Sequence, residues 1–273
     1  MNLFFSLNDK YSYPLAVLMT SILENNKGGN ISFYVMYSEL SEESKAKITK
    51  LKSKYKNCTI NFKKVDAEMF RDLKTPVKHI SKEAYFVFSI ADLFPDIDKG
   101  LYIDIDTIVA KPLKELWNTD ISKYYAAVVE SNWLEILEKE NNNYRQILGF
   151  DTDDLYFNGG VLLFNMSALR RDNISAKLFK TRQELGDKAK SVNQCTLNVV
   201  LRKHVLFVDK KWNITSGRNS KLSFLEWRRL ACIIHYNGER KPWEMKHRPL
   251  DFLFKYKRYL WKKYANIYER ISC

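Results

Sequence analysis

The chain has 273 residues, of which 45% are hydrophobic and 14% aromatic, and its formal net charge is +13. This composition excludes an intrinsically disordered protein and allows one large domain with a buried core and a C-terminal appendage. No run of about 18 apolar residues occurs, so we expect no membrane-spanning helix. The positive charge suits an anionic partner, and a large share of it lies between residues 246 and 270.

The cysteines and the N-terminus bear on the cellular compartment. The cysteines are widely separated and form no CxxC pair; they are Cys58, Cys195, Cys232 and Cys273. We expect buried, unpaired thiols in a reducing compartment, and hence a cytoplasmic protein. Met1 to Phe5 is apolar and no basic segment precedes it, which predicts a first strand rather than a signal peptide.

The N-terminal part alternates between strand and helix patterns. In chain order, the predicted elements are a strand at 2–7, a helix at 13–25, a strand at 31–37, a helix at 41–55 and a strand at 58–62. Ser41 is expected to cap the second of these helices. Such alternation indicates βαβ units and a largely parallel sheet.

The remainder of the chain gives a less regular pattern. Its predicted elements are a helix at 81–94, strands at 101–103, 125–130, 156–165 and 231–234, a helix that begins near 193, and a helix from 252 onward. We find no internal repeat and no low-complexity segment. The sequence therefore predicts an α/β fold with a mixed, mostly parallel central sheet flanked by helices.

The stretch from Gly100 to Lys114 carries the strongest functional signal. Residues 101–103 form an apolar strand pattern, and Asp104 and Asp106 follow at its end. Strand residues two apart point to the same face, so both carboxylates would converge on one hard cation. Open α/β sheets bind ligands at the carboxyl ends of their strands, where these residues would lie.

The Asp-x-Asp spacing alone is not specific. It recurs at Asp96/Asp98 and at Asp151/Asp153, in polar surroundings that favour solvated loop acids. The preceding apolar strand distinguishes the pair at 104 and 106, because carboxylates there are costly unless a cation or hydrogen-bond donors compensate them.

His235 is the third candidate metal ligand because it also follows an apolar strand pattern. A lone histidine is more often a structural residue, and that alternative stays open here. Two carboxylates and one imidazole would suit Mn²⁺ or Mg²⁺ bound through a diphosphate. Gly238 and Lys241, just downstream, would let backbone and ammonium groups approach the same phosphates.

Two further patterns leave alternatives open. Gly159 and Gly160 lie in a strand pattern, and they indicate a close approach either to a neighbouring strand or to a ligand. Asn193 and Gln194 begin a predicted helix, and either side chain would cap that helix or face a pocket.

Taken together, these pieces resemble the family 8 retaining glycosyltransferases, which include bacterial lipopolysaccharide galactosyl- and glucosyltransferases and glycogenin. The resemblance runs in order from residue 2 to about 243. It rests on Leu-Tyr-Ile-Asp-Ile-Asp at 101–106, Phe-Asn-Gly-Gly-Val-Leu-Leu-Phe-Asn at 157–165, Asn-Gln-x-x-Leu-Asn at 193–198 and His-Tyr-x-Gly-x-x-Lys-Pro-Trp at 235–243.

The resemblance implies a GT-A type, Rossmann-like catalytic domain over residues 1–245 that binds a UDP-sugar. It implies that Mn²⁺, or Mg²⁺ as an alternative, is held by Asp104, Asp106 and His235. The implied nucleotide contacts are Ser6, Asn8, Tyr11, Asp104, Ile105, Gly238 and Lys241. Donor-sugar contacts are implied at Asn158, Asn193 and Gln194, of which Asn158 and Gln194 are the implied catalytic residues, and His79 matches an acceptor-side position.

The implied activity is transfer of a hexose or N-acetylhexosamine from a UDP-sugar to a hydroxyl of a saccharide, glycolipid or glycoprotein acceptor. Metal and Lys241 would stabilise the charge that builds on the departing UDP. No carboxylate stands at the Gln194 position to act as a nucleophile. We therefore favour front-face attack within an ion pair, in which the departing phosphate oxygen deprotonates the acceptor and Gln194 is an electrostatic partner.

Three positions depart from the family pattern. Val87 stands where members commonly carry an arginine. Asn193 and Asn8 each stand where members commonly carry an aspartate. Joint loss of that arginine and of the aspartate at 193 would remove a charge pair without leaving an unpaired buried charge. We expect a donor sugar other than the commonest ones, or weaker control of donor hydrolysis. A degenerate protein that binds nucleotide sugars without transferring them is the alternative.

The segment 246–273 is predicted to be a basic amphipathic helical tail. Aromatic and basic residues at helical spacing are typical of an element that lies on an anionic membrane surface, and a helix that packs on the domain is the alternative. The basic balance also raises a nucleic-acid-binding protein, but no helix-turn-helix, zinc-finger or RNP signature accompanies it. A nucleotide-sugar pyrophosphorylase is disfavoured because no glycine-rich phosphate loop follows the first strand.

Overall fold

The computed structural model describes residues 1–73, 82–140, 143–215, 229–238, 241–244 and 252–272. Within these residues the strands form a seven-stranded sheet and a smaller three-stranded sheet. The strands are β1 (Asn2–Leu7), β2 (Ile31–Tyr37), β3 (Cys58–Lys64), β4 (Lys99–Ile103), β5 (Thr107–Val109), β6 (Ala126–Glu130), β7 (Phe157–Asn165), β8 (Val205–Val208), β9 (Ile214–Thr215) and β10 (Ile233–His235).

Helices cover both faces of the large sheet. The α-helices are α1 (Ser12–Asn25), α2 (Glu42–Thr49), α3 (Leu51–Lys54), α4 (Ile90–Leu93), α5 (Lys114–Trp117), α6 (Trp133–Glu140), α7 (Tyr144–Ile147), α8 (Met166–Arg171), α9 (Ile174–Leu185), α10 (Gln194–Leu201) and α11 (Phe252–Ser272). The 3-10 helices span Asp9–Tyr11, Ala67–Phe70, Lys82–Ser89, Gly186–Lys188, Arg202–His204 and Lys210–Trp212.

The large sheet has the order β3-β2-β1-β4-β7-β6-β8. Its first four strands are parallel to one another, whereas β7 runs antiparallel to β4 and β6, and β8 is parallel to β6. The predicted mixed, mostly parallel sheet is therefore confirmed. Because β1 and β4 are parallel neighbours with Phe4 opposite Tyr102, their carboxyl ends lie side by side.

The N-terminal βαβ prediction holds with small changes at the boundaries. Ser41 does cap α2, since its hydroxyl accepts a hydrogen bond from the Ser44 backbone N–H at 3.2 Å. The helix predicted over 41–55 is two helices that meet at Lys50.

The helix predicted at 81–94 is mostly a 3-10 helix, over Lys82–Ser89, followed by the single turn α4. Five consecutive side chains in the 3-10 segment are buried, from Tyr85 to Ser89. Burial of consecutive side chains leaves no one-sided apolar stripe from which the helix type could be predicted. The sequence pattern also does not predict β5, β8 or β9, which are two to four residues long.

The hydrophobic core has two main parts. One lies between the large sheet, α1, the small sheet and α11, and the other lies between the opposite face of the large sheet and the segments 82–93 and 166–201. Cys58, Cys195 and Cys232 are buried and unpaired, as predicted. Cys273 is outside the described residues.

The C-terminal helix α11 packs along α1 through aromatic side chains. Trp261, Tyr264 and Tyr268 are buried, and the Tyr13 ring meets those of Trp261 and Tyr268 at 5.8 Å each. In the described part of the chain, no helix has both the length and the apolarity needed to cross a membrane.

Candidate active site

Asp104 and Asp106 lie in a turn that joins the two sheets. β4 of the large sheet ends at Ile103, and β5 of the small sheet begins at Thr107. The two carboxylates therefore converge through a turn and not through strand alternation, which corrects the reasoning from periodicity. The Thr107 hydroxyl donates to the Asp104 carbonyl at 2.8 Å and holds the turn closed, while the half-buried Ile105 side chain packs on the core.

β5, which periodicity missed, brings His235 to this turn. β10 pairs antiparallel with β5, so that His235 stands opposite Thr107. The imidazole Nε2 lies 3.2 Å from an Asp106 carboxylate oxygen and 3.7 Å from an Asp104 oxygen. One ligand atom from each residue lies within 4.8 Å of the other two, which is close to the spacing around one divalent cation.

The electrostatics of the three side chains are strongly coupled. Burial raises the pKa of Asp104 to about 6, against the opposing effect of His235. Burial also acts on Asp106, but His235 and Lys241 outweigh it and hold the Asp106 pKa well below its usual value. Burial lowers the His235 pKa, yet the two carboxylates outweigh burial and raise it. The site therefore confines negative charge that a cation would neutralise.

Lys241 is part of the same cluster. Its ammonium contacts the second Asp106 carboxylate oxygen at 2.6 Å and donates to the Tyr236 carbonyl at 3.0 Å. The Tyr236 backbone N–H in turn donates to the Asp106 carbonyl at 2.7 Å. A fixed positive charge thus lies beside the carboxylates, where phosphate oxygens of a diphosphate would also be attracted.

The close approach predicted at the two glycines is seen at Gly160, where the neighbours are side chains of the protein. A Cβ at this position would lie 2.3 Å from His235 Cε1 and 2.7 Å from an Asp104 carboxylate oxygen. The glycine is therefore required by the approach of the ligand side chains to the β7 backbone. At Gly159 a Cβ would make only ordinary contacts with Gln194, the nearest at 3.5 Å.

A buried hydroxyl holds the other side of Asp104. Tyr102 donates to an Asp104 carboxylate oxygen at 3.0 Å, and its own oxygen lies 3.0 Å from the Ser6 hydroxyl. Since the Tyr102 proton is used on Asp104, Ser6 is the donor in the second bond. Ser6, at the end of β1, is thereby tied to the carboxylate cluster.

A row of amide side chains extends from His235 away from the carboxylates. Asn213 contacts His235 Nδ1 at 3.1 Å and donates from its amide nitrogen to the Asn158 side-chain oxygen at 2.8 Å. Asn158 donates to the Gln194 side-chain oxygen at 3.0 Å, and the Gly159 backbone N–H donates to that same oxygen at 3.0 Å. His235 and Gln194 are thus the ends of one continuous row.

The end of β1 carries a buried acceptor with no partner among the described residues. Asn8 donates from its amide nitrogen to Glu83 at 3.3 Å, and its Oδ1 is buried without a hydrogen bond. Glu83 is itself buried and also accepts a hydrogen bond from Ser38. Nearby, the ring of Tyr11 meets Trp243 edge to face at 6.4 Å.

The remaining predicted site residues are less directly placed. Asn193 does not cap α10 with its side chain, which instead donates to the Ala84 carbonyl at 2.9 Å. Gly238 is half-buried and has open space where a Cβ would be. Val87 is buried in the core. His79 falls outside the described residues.

Sequence reasoning missed three side chains of this site: Asn213, Glu83 and Tyr102. Asn213 sits before a two-residue strand, so no periodicity marks it. Tyr102 was assigned only to a strand, although its place two residues before Asp104 puts it on the same face. For Glu83, a charged residue entering an otherwise apolar helix pattern was the available signal.

The fold and site together define an α/β protein in which two carboxylates and an imidazole form a candidate cation site beside the Lys241 amine. This site lies at the carboxyl ends of parallel strands. This arrangement is suited to a divalent cation together with an anionic ligand.

Comparison with known proteins then identifies the family. The family model described as glycosyl transferase family 8 matches residues 2–247. A Haemophilus influenzae protein, itself only provisionally called a glycosyltransferase, is 29% identical over 252 residues, 90% of this chain and 74% of that protein. The lipopolysaccharide 1,3-galactosyltransferase of Salmonella typhimurium is 27% identical over 89% of this chain and 72% of its own.

Solved structures agree with this assignment. The galactosyltransferase LgtC, solved in complex with donor and acceptor sugar analogs, superposes with a TM-score of 0.82 at 25% identity, over 98% of this chain and 96% of LgtC. The chain belongs to glycosyltransferase family 8 and has the GT-A fold. It is a retaining hexosyltransferase that acts on a nucleotide-sugar donor and a saccharide acceptor.

Proposed function

We propose that this protein transfers a hexose or N-acetylhexosamine from a UDP-sugar to a hydroxyl of a saccharide acceptor, with a divalent metal ion as cofactor. The acceptor would be a lipopolysaccharide, another cell-surface glycan or a glycoprotein glycan. The observation that carries the proposal is the convergence of Asp104, Asp106 and His235 beside Lys241 at the carboxyl ends of β1 and β4.

The residues of the cluster fit Mn²⁺ or Mg²⁺. Carboxylate oxygens and an imidazole nitrogen are suitable ligands for both ions, and the imidazole favours Mn²⁺ of the two. When bound, the ion would supply Lewis-acid stabilisation of the diphosphate leaving group. Lys241 adds a fixed charge there, and Tyr102 holds Asp104 in place by hydrogen bonding.

The base proposed is uracil because of the Asn8 side chain. Glu83 accepts from the Asn8 amide nitrogen, which fixes the unpaired Oδ1 as the atom presented to a ligand. Uracil offers a ring N–H to such an acceptor, whereas cytosine offers a ring acceptor that would leave the oxygen unpaired at a cost of about 1–3 kcal/mol. Tyr11 would stack on the base, buttressed by Trp243.

Gln194 is proposed as an electrostatic partner of the reacting sugar and not as a nucleophile. Its side-chain oxygen already accepts two hydrogen bonds, from the Gly159 backbone and from Asn158, which use both lone pairs. Deprotonation of the acceptor would then fall to the departing phosphate oxygen. Gln194→Ala should keep measurable turnover, and a stable sugar adduct trapped on a wild-type side chain would refute this assignment.

The donor sugar is proposed to differ from the commonest ones of the family. The positions that support this are Val87, whose side chain is buried in the core, and Asn193, whose amide is turned to the Ala84 carbonyl. Neither presents a charge to the sugar. Strict preference for UDP-galactose with efficient turnover would count against this part of the proposal.

The protein is proposed to act in the cytoplasm, at the inner face of the membrane, through the outward face of α11. Tyr259, Lys262 and Lys263 are exposed there, while the aromatic face packs on α1. K262E/K263E should weaken sedimentation with anionic vesicles. The matched control is K63E/K64E, an exposed lysine pair at the edge of the large sheet. Equal sedimentation of both variants and wild type would refute membrane attachment.

The decisive experiment is a thermal-shift screen of nucleoside diphosphates and nucleotide sugars, with and without Mn²⁺. A ligand that binds the folded state at about 100 times its Kd stabilises it by about 2.7 kcal/mol. We expect UDP and one UDP-sugar to raise Tm only with Mn²⁺, and CDP to have little effect. Equal shifts for CDP and UDP, or shifts independent of metal, would refute the proposal. Release of free sugar from that UDP-sugar separates a transferase from a binding-only protein.

A further inference from the structure

Asn213 links the candidate metal ligand His235 to the two amides on the donor-sugar side. Its side chain is buried, with 4% of its surface exposed, and Asn158 and His235 are also buried. None of the sequence motifs includes it, since it lies between the helix Lys210–Trp212 and the short strand β9. Its position suggests that it controls how both neighbours are oriented.

The direction of each hydrogen bond in the row can be deduced from two backbone groups. A backbone N–H can only donate, and the N–H of Gly160 points at the Asn158 oxygen at 2.9 Å. Asn158 must therefore present its oxygen to Gly160 and its amide nitrogen to Gln194. At the other end, the Gly159 N–H fixes the Gln194 side-chain oxygen as an acceptor.

The same logic continues to His235. Because the Asn158 oxygen is an acceptor, Asn213 must place its amide nitrogen against it, at 2.8 Å, and its oxygen against His235 Nδ1, at 3.1 Å. An amide oxygen has no proton, so Nδ1 carries a proton and donates it to Asn213. Nε2 then faces Asp104 and Asp106, where a metal ion would take the place of any proton on this nitrogen.

We propose that Asn213 is a positioning residue that sets the His235 tautomer and, through Asn158, the orientation of Gln194. The inference rests on the proposed function, because it assigns His235 to the metal and Gln194 to the donor sugar. The row couples the two halves of the site. One set of hydrogen bonds, anchored on the β7 backbone, orients both His235 on the metal side and Gln194 on the sugar side.

Substitution by aspartate separates the two roles of Asn213. Asn213→Asp keeps an oxygen for His235 Nδ1–H but loses the donor to Asn158. Asn213→Leu is similar in size and removes both. Asn158→Asp keeps the acceptor for Gly160 and Asn213 and loses only the donor to Gln194. Asn26→Leu is the control, since Asn26 is a buried asparagine that bonds to Ile22 and Leu113 away from the site.

The first readout is whether Nδ1 of His235 carries a proton in the metal-free protein, from the ¹⁵N shifts of its ring nitrogens. We expect a protonated Nδ1 in wild type, Asn213→Asp, Asn158→Asp and Asn26→Leu, and a shift toward a ring protonated on Nε2 alone in Asn213→Leu. An unprotonated Nδ1 in wild type, or an unchanged ring in a folded Asn213→Leu, would overturn the proposal. Circular dichroism and Tm establish that each variant is folded, and Asn213→Ala replaces the leucine variant if that one does not fold.

The second readout is Mn²⁺ affinity by calorimetric titration, and the third is UDP-sugar turnover. Loss of an outer partner of a metal ligand weakens binding by about 10–100-fold. We expect that loss in Asn213→Leu, no loss of affinity in Asn213→Asp and Asn158→Asp, and reduced kcat with little change in KM in both aspartate variants. Full turnover in both aspartate variants would refute the link to Gln194.

These readouts distinguish the inference from the proposed function. If wild type binds Mn²⁺ and shows the expected tautomer but hydrolyses no UDP-sugar, the donor assignment fails and the positioning role survives. If wild type binds no Mn²⁺, the metal assignment fails and the ring tautomers of wild type and Asn213→Leu still decide whether Asn213 orients His235.

Discussion

The carboxyl-end site and the interface between α11 and α1 are both built from distant parts of the chain, but they are chemically opposite. At the interface, the rings of Trp261, Tyr264 and Tyr268 are buried, and polar groups pair across it: Tyr13 donates to Glu269 at 2.6 Å and Asn25 to Tyr264 at 2.8 Å. At the site, two carboxylates are confined together and the Asn8 oxygen has no partner among the described residues.

The difference separates stability from function. Apolar burial contributes about 25 cal/mol per Å² to the folded state, so the interface stabilises the chain. Confined charge and an unpaired buried acceptor destabilise it, and a bound ligand would offset this cost. Trp243 joins the two regions, since it contacts Trp261 at 5.9 Å and Tyr11 at 6.4 Å. The interface therefore also supports the part of the site that is proposed to bind the nucleotide.

The largest effect on stability is expected at Trp261. Trp261→Ala removes a buried ring from the α11 interface and should lower the free energy of unfolding by about 3–5 kcal/mol, measured by urea denaturation. Tyr259→Ala, whose ring is 61% exposed on the same helix, should change it by less than about 0.5 kcal/mol. Equal effects of the two changes would mean that α11 does not pack as described.

The next effect is on turnover at Asp104. Asp104→Asn keeps the shape of the side chain but removes a negative charge from the candidate metal site. It should lower kcat/KM for the UDP-sugar by more than about 100-fold, which exceeds the effect of losing a residue that only hydrogen-bonds to a metal ligand. The control is Asp98→Asn, in the Asp96/Asp98 pair, where the Asp98 carboxylate is exposed and forms a salt bridge with Arg170 at 3.0 Å. Comparable losses in both variants would contradict a special role for the turn at 104–106.

A smaller effect should separate the two adjacent glycines. Gly160→Ala places a methyl group against His235 and Asp104 and should weaken Mn²⁺ binding by about tenfold or more in a titration, as loss of ligand alignment does. Gly159→Ala meets only ordinary contacts and should keep the affinity of wild type. Wild-type affinity in both variants would show that the ligand side chains do not need the close approach to β7.

The smallest effect concerns the same substitution, Asp104→Asn, which is expected to lower turnover but to raise the stability of the metal-free protein. The Asp104 pKa is raised to about 6 from an ordinary value near 3.8, so between these pH values the folded state binds more protons than the unfolded state. In the metal-free protein this group makes stability fall as pH rises toward 6. Metal-free Asp104→Asn should therefore exceed wild type in Tm at pH 7, and converge with it near pH 4. A variant less stable than wild type at pH 7 would contradict the described burial.

Much of the fold was predictable because it depends on local patterns. The alternation of strand and helix in the first sixty-four residues follows from periodicity and turn residues, and Ser41 caps its helix as expected. Four motifs in order were sufficient for the family. The Asp104 and Asp106 pair was recognisable because acids directly after an apolar strand need compensation.

Other features depend on partners that are distant in the sequence. β5 is only three residues long and forms because β10 pairs with it, yet this pairing is what carries His235 to the turn at 104–106. Asn213 has no local signature, and its role exists only through contacts with His235 and Asn158. The segment from Tyr85 to Ser89 is buried on all sides, so it carries no one-sided periodicity from which its helix type could be predicted.

The sequence by itself thus determined which groups this enzyme has: the acids, the imidazole, the amides and the glycines, with the strand ends that present them. Only the tertiary structure decided how they are oriented, which atom of His235 faces the carboxylates and which atom of the Asn8 amide has no partner among the described residues. The physical reason is that hydrogen-bond direction and side-chain burial are set by contacts between residues far apart in the chain, about which local periodicity carries no information.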